Sequence, residues 1–224
     1  MALALGVALG ACAYHGNFDD PIQRRFQWFS FIGGEDIQDA CHPGSVDRYR
    51  FVYNGRYSEQ LRDYELVGDG AGGAYLTSRA TGGYANLATV SLNDPLGPWR
   101  WQESRTQLNS AQFKLFIQAL AADGFLQPPK TAGRRFSSNN FYWLVSGCHD
   151  GQFHFGAWIW PSDDFAALKF PALLLARDQT GMAFNQPYDA PGGETMGQPG
   201  VSLGANAPFN ITIHDDGLGR GSLF

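Results

Sequence analysis

The chain has 224 residues, a formal net charge of −5, 44% apolar and 17% charged side chains. That length suits one domain with a full core, and the composition excludes a disordered chain. The acidic balance and the scattered Lys and Arg exclude a nucleic-acid partner, which needs clustered cations for phosphate. Aromatic residues reach 14%, an excess that short β-strands most commonly produce. No window offers the roughly 18–20 consecutive apolar residues of a spanning helix.

Met1 to Ala11 reads MALALGVALGA, too short to span a bilayer, and Cys12 follows at once. Leu9-Gly10-Ala11-Cys12 resembles a bacterial lipobox: an aliphatic residue, two small residues, then the lipid-bearing Cys. The resemblance implies that residues 1–11 are a signal-peptide remnant and that Cys12 is acylated, a palmitate-type anchor holding the chain at the periplasmic side of a membrane. Ala13 instead of Asp after the Cys slightly favours the outer membrane. One departure from the pattern is that no Lys or Arg precedes the apolar run, where a signal carries a positive segment. Residues 12–190 then form the globular periplasmic domain, and 191–224 a Gly-rich extension of it. After Cys12 the remaining cysteines are Cys41 and Cys148, an even pair that is a candidate disulfide in an oxidising compartment or else two separate buried thiols.

In chain order, Asp20-Pro21 opens a helix, with Ile22, Phe26 and Phe29 at helical spacing and Gly33-Gly34 as its stop. Those three residues pack on the core, or Arg24, Arg25 and Trp28 sit at the headgroup level of a membrane. Asp47 to Val67 reads as a hairpin turning at Asn54-Gly55, which pairs Val52 with Tyr57, Arg50 with Glu59 and Asp47 with Arg62, and puts Tyr49, Phe51 and Tyr53 on one face. Residues 68–98 are rich in Gly and Ser/Thr, with short strands over Ala74–Ala80 and Ala85–Leu92. Asn109 to Asp123 is a helix with a capping box from Asn109 and Gln112, an apolar stripe through Phe113, Phe116, Ile117 and Leu120, and Gly124 as stop. Phe141 to Trp160 reads as a second hairpin turning at Asp150-Gly151, a central pair with cover on both faces. Asp163-Asp164 starts a helix through Ala167 and Leu174 that Pro171 kinks or divides. One last strand covers Phe209–His214, and the rest of the Gly-rich tail orders only on contact with a partner. The fold class is α+β: an antiparallel sheet built from β-hairpins with one main helix packed on a face.

Gly68-Asp69-Gly70-Ala71-Gly72-Gly73 matches a dinucleotide-loop pattern in letters only, because a strand-like run follows it instead of a helix. Ser146-Gly147-Cys148-His149-Asp150 gathers nucleophile, base and acid types, but strand neighbours point to opposite faces, so Cys148 and His149 diverge. His149 and His154 share a face on diagonal positions, with Asp150 beside them, yet no metal-ligand spacing accompanies them. His214-Asp215-Asp216-Gly217 is a polar turn, and Gly217-Leu218-Gly219-Arg220-Gly221 reads as tail. CHPGSVDRYRFVYNGRYSEQLRDYEL, from Cys41 to Leu66, looks like proteobacterial exported proteins of uncharacterised activity and implies none. The expectation is therefore a membrane-anchored lipoprotein with a binding or accessory-subunit role in the cell envelope, a protein partner there, no catalytic residues, no metal and no cofactor. The alternative is an exported hydrolase of envelope material around His149, His154 and Asp150.

Overall fold

The computed structural model describes residues 21–82, 101–189 and 209–218. Cys12, the strand expected over Ala85–Leu92 and most of 191–224 lie outside these residues, as do the side chains of Ile22, Arg24, Arg25 and Phe26. In chain order the elements are α1 (Pro21–Gly33), α2 (Glu35–Ala40), β1 (Arg48–Gly55), β2 (Leu61–Gly68), β3 (Ala74–Thr81), β4 (Gln102–Leu108) and α3 (Ser110–Ala122). They continue with β5 (Arg135–Ser137), β6 (Phe141–His149), β7 (Gln152–Ile159), α4 (Asp163–Ala166), α5 (Phe170–Leu175), β8 (Asn210–His214) and β9 (Gly217–Leu218). One antiparallel sheet runs β4-β3-β2-β1-β6-β7, and β5-β8-β9 form a second, small sheet. The class is mixed α+β with mostly sheet.

The large sheet is covered on both faces. Tyr49, Phe51, Tyr53, Tyr64 and Trp143 bury against Phe116 and Leu120 of α3 and Phe170 and Leu174 of α5. The other face, with Val52, Leu144 and Phe155, packs on Trp28, Phe31 and Ile32 of α1 and on Ile211 and Ile213 of β8. Trp28 is only 3% exposed, which removes it from any headgroup-level surface: its ring is needed against Phe31 and Tyr57. The tail is corrected too. Ile211 and Ile213 alternate inward and are fully buried, so residues 209–218 are ordered on the domain itself, and Gly217-Leu218 is a strand.

The Asp150-Gly151 hairpin has the expected register, Trp143 opposite Trp158 and Cys148 opposite Phe153. Both turn residues take positive φ, 49° and 74°, as a two-residue primed turn requires. Within that pair β6 is central but β7 is the sheet edge, where Thr131 Oγ1 donates to the Ala157 carbonyl at 2.9 Å. A Cβ on Gly151 would sit 2.6 Å from Pro43 Cα. Gly151→Ala should therefore cost more than about 1 kcal/mol, from strain at positive φ and the backbone clash. Urea midpoints of the two proteins measure it, and equal midpoints would show that the turn yields.

The first hairpin differs. Its strands pair Arg50 with Glu65, Phe51 with Tyr64 and Tyr53 with Arg62, around a five-residue loop, Arg56–Gln60, closed by Gly55 N–H donating to the Gln60 carbonyl at 2.9 Å. Val52–Tyr57, Arg50–Glu59 and Asp47–Arg62 are thus not pairs. Asn54 is a buried strand residue whose amide donates to the Ser138 and Asn140 carbonyls. Arg56, at φ 59°, makes the turn that was expected of Gly55. The displacement is six residues, an even number, so every side chain keeps its face and the Tyr49, Phe51, Tyr53 core survives.

The remaining helices follow their local chemistry. Asn109 and Gln112 form the reciprocal capping box on α3, and Gly124 takes φ 82° behind it. The segment from Asp163 is divided: α4 is capped by the Ser162 hydroxyl, and Pro171 lies in the first turn of α5.

Candidate functional site

Strands β1, β3 and β7 begin, and β2, β4 and β6 end, along one rim of the large sheet. The pairing of β1 with β6 brings Asp47, just before β1, next to His149 at the end of β6. Tyr49, between them, donates its hydroxyl proton to Asp47 Oδ2 at 3.0 Å, and its oxygen lies 2.7 Å from His149 Nδ1. Nδ1 is also 3.2 Å from Asp47 Oδ2, while Asp47 Oδ1 accepts the Asp150 N–H at 3.0 Å. A phenol has one proton to give, so with that proton on Asp47 the ring donates from Nδ1, and in the neutral imidazole it is Nε2 that carries the lone pair. Nε2 is 3.7 Å from Asp150 Oδ2. Burial, and then the neighbouring Asp47, hold the Tyr49 hydroxyl well above the ordinary phenol pKa, so it stays a neutral donor.

Among the residues expected to matter, His149 and Asp150 do come together. His154 shares their face, opposite Gly147. Its ring lies tilted against Phe125, centroids 5.8 Å apart, and burial, followed by His149, lowers its pKa. Cys148 points to the opposite face and is joined to Cys41, with Cα atoms 5.5 Å apart, so it is no nucleophile for His149. Asp47 and Tyr49 were not expected at this site. They stand about 100 residues from His149 in sequence and arrive only through the β1–β6 pairing.

A shallow depression of about 360 Å³ lies further along the same rim, between the Gly68–Gly73 loop and the start of α3; the Gly68 N–H at its edge donates to the Asp47 carbonyl at 2.9 Å. Gln107, Ser110 and Gln112 line it with Asp69 and Gly73. The loop does not cradle phosphate. Asp69 Oδ1 accepts the Ala71 and Gly73 N–H groups at 2.8 and 2.9 Å, occupying the donors an anion would need.

Elsewhere, charge is used for structure. Arg50 bridges Asp36 and Glu65 inside the domain, and Arg48 reinforces both. Arg62 pairs with Asp178 beside the Tyr64 hydroxyl, and also donates to the Met182 and Ala183 carbonyls, strapping residues 176–185 onto the sheet. Arg79 spans Asp63 and Glu103. Burial, with Glu65 next, pushes the Asp63 carboxyl up to about 6.

No family model matches this chain, and no curated protein or solved structure is similar to it at a significant level. Any functional reading rests on the residues themselves.

Proposed function

We propose that the chain is an exported bacterial lipoprotein, anchored through an acylated Cys12 with the outer membrane favoured, whose domain binds a protein partner in the envelope and does not catalyse. The observation that carries the non-enzymatic part is a separation. The depression is lined by amides and a hydroxyl, its one carboxylate already consumed by backbone, while the converging Asp47, His149 and Asp150 lie outside that lining, on the adjoining part of the rim. An enzyme of small substrates places both in one pocket. The Cys41–Cys148 pair supports export, because such bonds persist in oxidising compartments. In this reading α3 is the main helix on one of the sheet's two covered faces.

A second reading, an exported hydrolase around His149 with Asp150 and His154, is favoured by one observation: Asp47 and Tyr49 pin the ring through Nδ1 and leave Nε2 outward, the arrangement of a general base. The anchor has a direct test. The full chain expressed with an export signal should fractionate with membranes and carry an acyl mass on Cys12, whereas Cys12→Ser should be released as soluble periplasmic protein. An unmodified Cys12 in the membrane fraction would overturn the lipoprotein reading. Any envelope-substrate hydrolysis that vanishes with His149→Ala would replace the binding role by the second reading.

A further inference from the structure

We propose that the tip of the β6–β7 hairpin binds one divalent transition-metal ion, ligated by His149 Nε2 and the Asp150 carboxylate, with Asp47 and Tyr49 as positioning residues behind the ring. Asp47, His149 and Asp150 each offer a donor atom, all within 4.8 Å of one another, the one such convergence among the described residues. Nε2 and Asp150 Oδ2 are 3.7 Å apart. That is too long for a hydrogen bond, yet it fits two ligands of one ion, whose bonds of about 2.0–2.2 Å span it at an open angle.

Asp47 is not a ligand in this arrangement. Its oxygens already take the Tyr49 hydroxyl, the Asp150 N–H and the Nδ1 side of His149. It is the outer carboxylate that fixes tautomer and ring orientation for a metal-binding imidazole and raises its basicity. The turn is held as well: Asp150 and Gly151 occupy a fixed positive-φ pair, and the disulfide ties Cys148, next to His149, to Cys41.

The charge balance of the same residues also favours a cation. Asp36, Glu65, Asp63 and Asp178 are each paired with an arginine. Among the described residues Asp47 and Asp150 meet no Arg or Lys within bridging distance, and the basic group they face is His149. Two carboxylates beside a pinned imidazole leave a negative spot that a divalent ion neutralises. The nitrogen ligand selects zinc and its neighbours over calcium and magnesium, which prefer all-oxygen shells. Asp150 is 89% exposed at its side chain, so the ion's remaining positions face solvent and are open to water or to a ligand from outside. The proposal is independent of the anchor and of either reading above.

The test titrates Zn²⁺ into the purified, detergent-solubilised full chain by calorimetry, alongside long-range ¹H–¹⁵N spectra of the histidine rings. One ion per chain is expected, with the His149 ring in the Nδ1–H form and its Nε2 signal the one displaced. His149→Ala and Asp150→Asn should each weaken binding at least tenfold, Tyr49→Phe about tenfold or more, and His214→Ala not at all. Excess Ca²⁺ should not compete. No zinc uptake, an unmoved His149 Nε2 signal in the unsubstituted chain, or equal competition by Ca²⁺ would each overturn the site. The spectra of the unsubstituted chain decide the matter even if a variant fails to fold. Cys12→Ser should bind zinc as the unsubstituted chain does, which separates failure here from failure of the anchor.

Discussion

Arg50→Ala should destabilise the fold by about 3–5 kcal/mol, the cost of leaving buried charges without their partner. The Arg50 side chain is fully buried. Its Nε donates to Glu65 Oε1 at 2.6 Å, its Nη atoms to the two Asp36 oxygens at 2.7 and 2.9 Å, and Nη1 also to the Phe31 carbonyl at 2.9 Å. The guanidinium lies 3.9 Å from the Phe31 ring centroid. One side chain thus ties α1, α2 and β2 to β1. Burial works against the Asp36 carboxylate, but Arg50 and Arg48 outweigh it and hold its pKa below the ordinary carboxylate value. A lowered folded-state pKa contributes stability that is present above the unfolded value and is lost as pH falls through the folded one. Urea unfolding should show the deficit of Arg50→Ala at neutral pH narrowing toward the acid end as Asp36 protonates. A loss under 1 kcal/mol at neutral pH would mean that water reaches both carboxylates. Replacing Arg50, Asp36 and Glu65 together by Met and Leu should recover most of the loss, because the penalty comes from stranded charge and not from missing attraction.

Removing the disulfide should be the other large effect. Cys41 and Cys148 are 107 residues apart, and freeing a loop of that length costs about 4–5 kcal/mol in the chain-entropy account. Cys41 directly follows α2, so the bond also holds Asp36 over Arg50. The double variant Cys41→Ala/Cys148→Ala and the chain treated with a reductant should show the same drop in urea stability. Adding Arg50→Ala to the double variant should cost less than the sum of the separate losses, since both act on the seating of α2. Unchanged stability on reduction would place the strength of the α2 contact elsewhere.

The two hairpins explain what was legible in the sequence. Asp150-Gly151 is read correctly because the glycine is there for its φ. Gly55 is there because a Cβ would meet the Tyr53 ring at 2.7 Å, a reason invisible from its neighbours. Charge pairing does not distinguish the two registers, since Glu59 and Glu65 are six apart and each offers Arg50 a partner. The observed register lets Tyr57 leave the strand and pack on Trp28 and Phe209, contacts made with distant parts of the chain. The β4 strand is missed because QESRTQL is a polar edge: burial alternates through Ser104, Thr106 and Leu108, but two of these three inward residues are polar, so hydropathy does not alternate. At the candidate site, His149 and Asp150 are legible as neighbours in sequence, while Asp47 and Tyr49 are not. The signal that was available is the cysteine pair: joining Cys41 to Cys148 already brings the start of β1 toward the end of β6.

The course of α1 has a consequence for how an anchored domain stands. The helix passes Trp28 beside Tyr57 of the Arg56–Gln60 loop and ends where Gly34 abuts Ser146 and Phe153, toward the His149 rim. It therefore enters at the opposite pole, and its thirteen residues climb about 20 Å from there. From Cys12 to Pro21 the chain has nine steps, a tether reaching at most about 30 Å. A lipid on Cys12 would seat the domain with the Arg56–Gln60 pole toward the headgroups and the His149 turn at the crown, facing the aqueous compartment. In that pose soluble macromolecules would have access to that turn.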